Sequence, residues 1–199
     1  MSRAAFLLFL LVCFGISSAI SDSATFEVRY PQYSYNQRVN SLHEIDFRNF
    51  ALIIFGGRGK TNLVAKLRNG IFQRDYPNAC HDWLKLASVK YFDDANAEGQ
   101  KALVMADWVS ACGSSSDIGV VQVFEIANGR PDVLQQIEYN ERGDGATSSF
   151  DVKTGTLTIK SVHGWEHCCP TTLDVGTFKW NGSRFALVKT ASIPIPPAN

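Results

Sequence analysis

An antiparallel, mainly β domain with little helix is the fold class the sequence predicts, and three observations predict it. Short apolar or aromatic runs recur between turn-forming residues from Ile45 onward. Asn69-Gly70, Asn128-Gly129 and Asn181-Gly182 each sit between such runs, and both residue types tolerate the positive φ that a tight hairpin turn demands. Thr156-Leu157-Thr158-Ile159-Lys160 alternates polar and apolar, as a half-exposed strand does. Consecutive hairpins arranged as a meander, a blade-like sheet or a sandwich all satisfy this pattern.

The elements follow in order. Residues 1–21 read as an export signal. Arg3 supplies the positive start, residues 6–16 form an uncharged apolar run, and small residues follow. Ser17 with Ala19, and Ala19 with Ser21, fit the small-x-small rule, so cleavage is expected after Ala19 or Ser21. The run is too short to cross a bilayer comfortably, and bulky Val12 before Cys13 argues against lipidation at that cysteine. A secreted or periplasmic chain follows, with no membrane span once mature. Residues 22–44, carrying Tyr30, Tyr33 and Tyr35, are expected as an extended lead-in, 45–190 as the β-rich domain and 191–199 as a Pro-rich tail. Within the domain, the apolar run 50–55 breaks at Gly56-Gly57. Residues 62–67 and 71–72 flank Asn69-Gly70, 88–92 and 102–109 flank an acidic turn, and 120–126 lead into Asn128-Gly129. Residues 177–180 and 185–188 flank Asn181-Gly182. Helical signals are confined to one or two turns at 81–87 and a short start at 132–137.

An apolar fraction of 45% gives a chain of 199 residues enough material for a real core. Nineteen basic residues balance 19 acidic ones, so no net field favours nucleic acid, and none is expected as a partner.

Four cysteines remain after the signal: Cys80, Cys112, Cys168 and Cys169. An even count in an exported chain implies bridges. Four cysteines allow three connectivities. Neighbours on a strand point to opposite faces, and a bridge between adjacent residues strains the usual Cα separation. Cys80 and Cys112 are therefore each expected to bond one of Cys168 and Cys169, adding about 2–4 kcal/mol per bridge.

Several motifs invite chemistry. Gly59-Lys60-Thr61 resembles the end of a phosphate loop, but Ile54 stands where the first Gly belongs. Asp94, Asn96 and Glu98 before Gly99 resemble the start of a calcium loop, whose later acidic ligand is missing here. The stretch reads as a solvated acidic turn. His163 and His167 lie beside Glu166 and the adjacent cysteines, a candidate metal cluster by donor type, although oxidised sulfur is a poor ligand. No metal or cofactor is expected. Ser114-Ser115-Ser116 has no Gly-x-Ser-x-Gly elbow, and Asn181-Gly182-Ser183 matches the glycosylation sequon within a hairpin turn.

Val89-Lys90-Tyr91, the Asp/Asn/Gly turn, Ala102-Leu103-Val104, Cys112-Gly113-Ser114, Cys168-Cys169-Pro170 and the hairpin 178–185 together resemble a group of uncharacterised bacterial exported proteins and lipoproteins of the LppP/LprE type. The likeness spans about 45–188, and implies fold and compartment but no activity. Two features depart from it: Ala97 and Glu98 dilute the acidic turn, and no lipidated cysteine is evident. The expected function is an exported, non-catalytic domain that binds an unknown protein or an envelope component. The alternatives are an extracellular hydrolase or metal-dependent enzyme using His163 and His167, and an inhibitor of an extracellular hydrolase.

Overall fold

The computed structural model describes residues 25–56, 62–77, 80–93, 99–110, 117–141, 146–163 and 171–195. Strands hold 69% of them and every pairing between strands is antiparallel, so the mainly β expectation stands at that level. The strands are β1 (Phe26–Arg29), β2 (Tyr33–Ser34), β3 (Ala51–Ile54), β4 (Leu63–Lys66), β5 (Ile71–Tyr76), β6 (Cys80–Asp93), β7 (Gln100–Ser110), β8 (Ile118–Ala127), β9 (Arg130–Asn140), β10 (Thr147–Asp151), β11 (Thr156–Val162), β12 (Thr172–Trp180) and β13 (Phe185–Pro194). Two single-turn 3-10 segments, Leu42–Glu44 and Phe47–Asn49, precede β3.

A central sheet runs β1-β9-β8-β7-β6-β5, with β2 also paired to β9. One face carries the β3-β4 pair and the two 3-10 turns. The other carries a four-stranded sheet, β10-β11-β12-β13. The central strands are therefore buried on both sides. Ala102, Val104 and Ala106 of β7 pack with Leu52 and Phe124 on the first face, while Leu103 and Met105 pack with Leu157 and Phe178 on the second. This explains why residues 102–106 and 120–124 read as continuous apolar runs rather than alternating ones: both pleat directions meet a core.

Each face has its own aromatic cluster. Tyr35, Phe47 and Phe50 gather about Phe124, with ring centroids 4.6–6.2 Å apart. Phe92, Phe150, Trp180 and Phe185 gather on the opposite face at 5.1–5.8 Å. Rings at these separations add attraction beyond their buried area.

The turns divide by chemistry. Asn128 and Gly129, at φ +53° and +72°, close the β8-β9 hairpin as the dipeptide predicts. Asn181-Gly182 belongs to a longer loop in which Asn181 Oδ1 accepts from the amides of Ser183 and Arg184, and Trp180 faces Phe185. Asn69-Gly70 does not join two paired strands. Beyond an Arg68–Ile71 bridge, β4 pairs with β3 and β5 with β6. The Gly70 amide bonds the Arg48 carbonyl at 2.6 Å and its carbonyl accepts from Leu86 at 2.8 Å, so the turn carries the chain between layers.

One expectation is corrected. Residues 81–87 and 132–137 are strand, not helix, because both lie inside two-sided ladders whose pairing outweighs local propensity. The lead-in 22–44 supplies β1 and β2, which add to the edge of β9. The tail boundary at 190 falls inside β13, whose pairing with β12 runs to Pro194. Residues 1–21, including the signal and its cleavage sites, lie outside the described residues.

Gly119 is the position where the central sheet tolerates no side chain. A Cβ there would stand 1.9 Å from the Tyr139 ring, which lies across the strand. Gly119→Ala should lower the urea midpoint, corresponding to a loss of about 1–3 kcal/mol or more; an unchanged midpoint would contradict this packing.

Candidate functional site

The candidate site forms where β1 of the central sheet meets β12 and β13 of the second sheet. Ladder register sets Asp174 against Ser161 on one side and Ser192 on the other. Ser192 Oγ donates to Asp174 Oδ1 at 2.6 Å. Thr25 Oγ1 donates to Oδ2 at 2.5 Å, and His163 Nδ1 lies 2.7 Å from the same oxygen. The His163 amide bonds the Thr172 carbonyl at 3.0 Å, which fixes the residue just past the end of β11.

Asp174 is 8% exposed. Burial works against its charge, but hydrogen bonds from Ser192, Thr25 and His163 outweigh that cost and hold its carboxyl below the ordinary carboxylate value. An ionised carboxylate only accepts, so the proton on the shared edge belongs to His163 Nδ1. The Nε2 edge is then left to face a ligand or water. The imidazole is half exposed, its side chain 56% accessible. It borders an open cleft of about 550 Å³ whose walls include Phe26, Val28, Phe178 and Leu187 and whose rim carries Thr190 and Ser192.

A carboxylate that orients an imidazole is the arrangement of a general base or a metal-binding histidine. The hydroxyl is placed differently from a nucleophilic triad, because Ser192 bonds the far oxygen of Asp174 rather than the imidazole. Among the described residues, no group of three His, Cys, Asp or Glu side chains could hold a metal ion. None of their helices is long and apolar enough to cross a membrane.

His163 is the sequence candidate that reaches this site. His167, Cys112, Cys168, Cys169 and the calcium-turn residues Asp94, Asn96 and Glu98 lie outside the described residues, as do Gly57 to Thr61 and the serines 114–116. Cys80 opens β6 and is buried; no disulfide has both halves among the described residues. His43 stacks on Tyr91 at 4.1 Å, and His81 pairs with Asp75 at 3.0 Å. Neither lines the cleft. Sequence reading missed Thr25, Asp174 and Ser192. The available signal was Asp174 itself, an acid between Leu173 and Val175 in a strand whose neighbours face inward.

No family model matches the chain, and comparison with curated proteins and with solved structures also finds no match.

Asp174→Asn should cost about 1–3 kcal/mol, the range for leaving buried partners poorly satisfied, measured by denaturant unfolding at neutral pH. Because the native carboxyl titrates below its unfolded value, the wild type should lose this contribution as pH falls through the acidic carboxylate range. The gap between wild type and variant should therefore narrow in acid; a constant gap would contradict the charge-based account.

Proposed function

We propose that the protein is an exported, non-catalytic β domain that binds a partner protein or an envelope component in the cleft between β1 and β12–β13. The observation that carries this is the cleft's composition: apolar walls from Phe26, Phe178 and Leu187 beside a fixed His163–Asp174 pair and hydroxyl-bearing rim residues. Such a surface buries apolar area and orients a polar group at one end, which is the common plan of a ligand site. Export is supported by the uncharged run 6–16 and the small residues after it, and the likeness to LppP/LprE-type exported proteins agrees with a periplasmic or secreted location. Unknown protein and envelope ligands fit; nucleic acid does not, given the zero formal charge.

Disulfide stapling belongs to the same proposal. Cys80 is supported as one half of a bridge whose other half lies outside the described residues. The pairing proposed is the one expected from the sequence, Cys80 and Cys112 each bonded to one of Cys168 and Cys169. Peptide mapping of unreduced protein should recover a Cys80 link to Cys168 or Cys169; an 80–112 link would reject it.

A second reading is favoured by one observation, the carboxylate-oriented imidazole. It makes His163 a base for hydrolysis of a bound ester, amide or glycan. The two readings separate by experiment. Mature protein incubated with isolated envelope should be retained without turnover. Leu187→Asp, at an exposed wall position, should weaken retention about tenfold or more, equivalent to 1.4 kcal/mol or more. Turnover of an envelope glycan, peptide or ester that His163→Ala abolishes would overturn the non-catalytic reading.

A further inference from the structure

Away from the cleft, the β6 side of the central sheet is covered along only part of its length. β5 pairs with β6 from Cys80 to Lys85, and the Gly70 carbonyl then accepts from the Leu86 amide at 2.8 Å. Upstream of that bond the chain leaves the sheet edge through Asn69 and Gly70, at φ +53° and +85°. From Ser88 to Asp93, β6 pairs with β7 alone among the described residues. Ala87 is the extra residue of a bulge, since Leu86 faces Ala106 and Ser88 faces Met105. The peptide groups of Leu86 point towards β5, and the bulge shifts the alternation by one residue. The amides and carbonyls of Val89 and Tyr91 therefore point away from β7, along the open edge.

A groove of about 500 Å³ lies at the start of this edge. Among the described residues its lining includes apolar Leu86 and Val89, the cations Arg48 and Lys85, and no acid. The Arg48 backbone is fixed: its amide donates to Asp46 Oδ1 at 3.1 Å, and its carbonyl accepts from the Gly70 amide at 2.6 Å. Its guanidinium makes one long hydrogen bond, to the Asn69 carbonyl at 3.4 Å, and no ion pair among the described residues. Lys85 faces Asp107 across the ladder, which leaves Arg48 as the cation open to a ligand.

We propose that the β6 edge at Val89 and Tyr91 binds the free C-terminal end of an extended polypeptide, added as a strand antiparallel to β6 with its carboxylate on Arg48. The charge fixes the direction. A strand that runs as β5 does, antiparallel to β6, reaches Gly70 and Arg48 with its C-terminus. A strand running the other way would bring its N-terminal ammonium to the same cation. Main-chain bonds at the edge hold such a peptide, and the groups beside it set preference. Directly opposed residues share a face of the sheet. The last residue, opposite Val89, thus shares the face on which Val89 packs against the first core, and an apolar side chain fits there. The residue before it falls opposite exposed Lys90, which favours an acid. A lysine on an open edge also repels a like edge, so a second copy of this chain is the poorer occupant.

Calorimetric titration and amide hydrogen exchange test this with a short peptide ending in glutamate and then valine, made as the free acid and as the C-terminal amide. The free acid should bind and slow exchange at the Val89 and Tyr91 amides. The amide form should bind about tenfold or more weakly, the scale of a charge-assisted hydrogen bond. Arg48→Gln should weaken the free acid to a similar extent and erase the difference between the two forms. Arg48 meets the fold chiefly through its backbone, which this variant keeps. If Arg48→Gln fails to fold, the comparison of acid and amide on the wild type, with the exchange data, decides the matter. Failure of the free acid to bind, equal binding of both forms, or binding without protection at Val89 and Tyr91 would overturn the proposal. A dimer in sedimentation whose Val89 and Tyr91 amides are already protected without peptide would give the edge to a second copy and overturn it too.

Discussion

Two adjacent glutamines on β9 hold the three layers together. Gln135 Nε2 donates to the Phe185 carbonyl at 2.9 Å, and Gln135 Oε1 accepts from the Phe185 amide at 2.8 Å. Gln136 makes the same pair of bonds to Phe55, at 3.0 and 3.1 Å, on the opposite face. Each side-chain amide thus acts as a short piece of strand, satisfying a backbone donor and acceptor that would otherwise be buried unpaired at a cost of about 1–3 kcal/mol each. Both glutamines are fully buried. Gln122 extends the second set, donating to Ile53 O and to Gln136 Oε1 at 2.7 Å each.

Opposed faces for this pair require a local irregularity. Between β8 and β9 the register shifts, Val123 facing Gln135 and Phe124 facing Val133, so Leu134 is the extra residue of a bulge. Val133 packs in the first core and Leu134 against the second. Without the bulge, strict alternation would send Gln135 to the same side as Val133. The bulge points it at Phe185 instead. Docking Phe185 fixes the start of β13, and β13 then runs beside β12 to bring Ser192 to Asp174. The cleft and its polar end thus depend on a clamp one sheet away.

Much of the strand content was legible because it is written in local chemistry. Asn128-Gly129 specifies its hairpin, and the alternation of 156–160 specifies β11 and its buried Leu157 and Ile159. Residues 102–106 were legible as strand, but not as strand buried on both faces, because period-two reasoning assumes one wet side. Asn69-Gly70 misled for a related reason: a primed turn states that the chain reverses, not which strand it pairs with. The site was mostly invisible. His163 stood out as a histidine, whereas Thr25, Asp174 and Ser192 are ordinary residue types that become a cluster only through two ladders and a sheet-to-sheet contact. The glutamine clamps were hidden too, since a polar residue in a strand ordinarily marks a solvent face.

Amide hydrogen exchange at Phe55 and Phe185, compared in Gln135→Leu and Gln136→Leu, tests the clamp most directly. Independent clamps predict that Gln135→Leu strips protection from the Phe185 amide and leaves Phe55 slow to exchange, with the reverse in Gln136→Leu. Losing a bond worth about 1–3 kcal/mol corresponds to exchange about 5- to 150-fold faster. Wild-type protection at both amides in both variants would contradict the role of the glutamine pair.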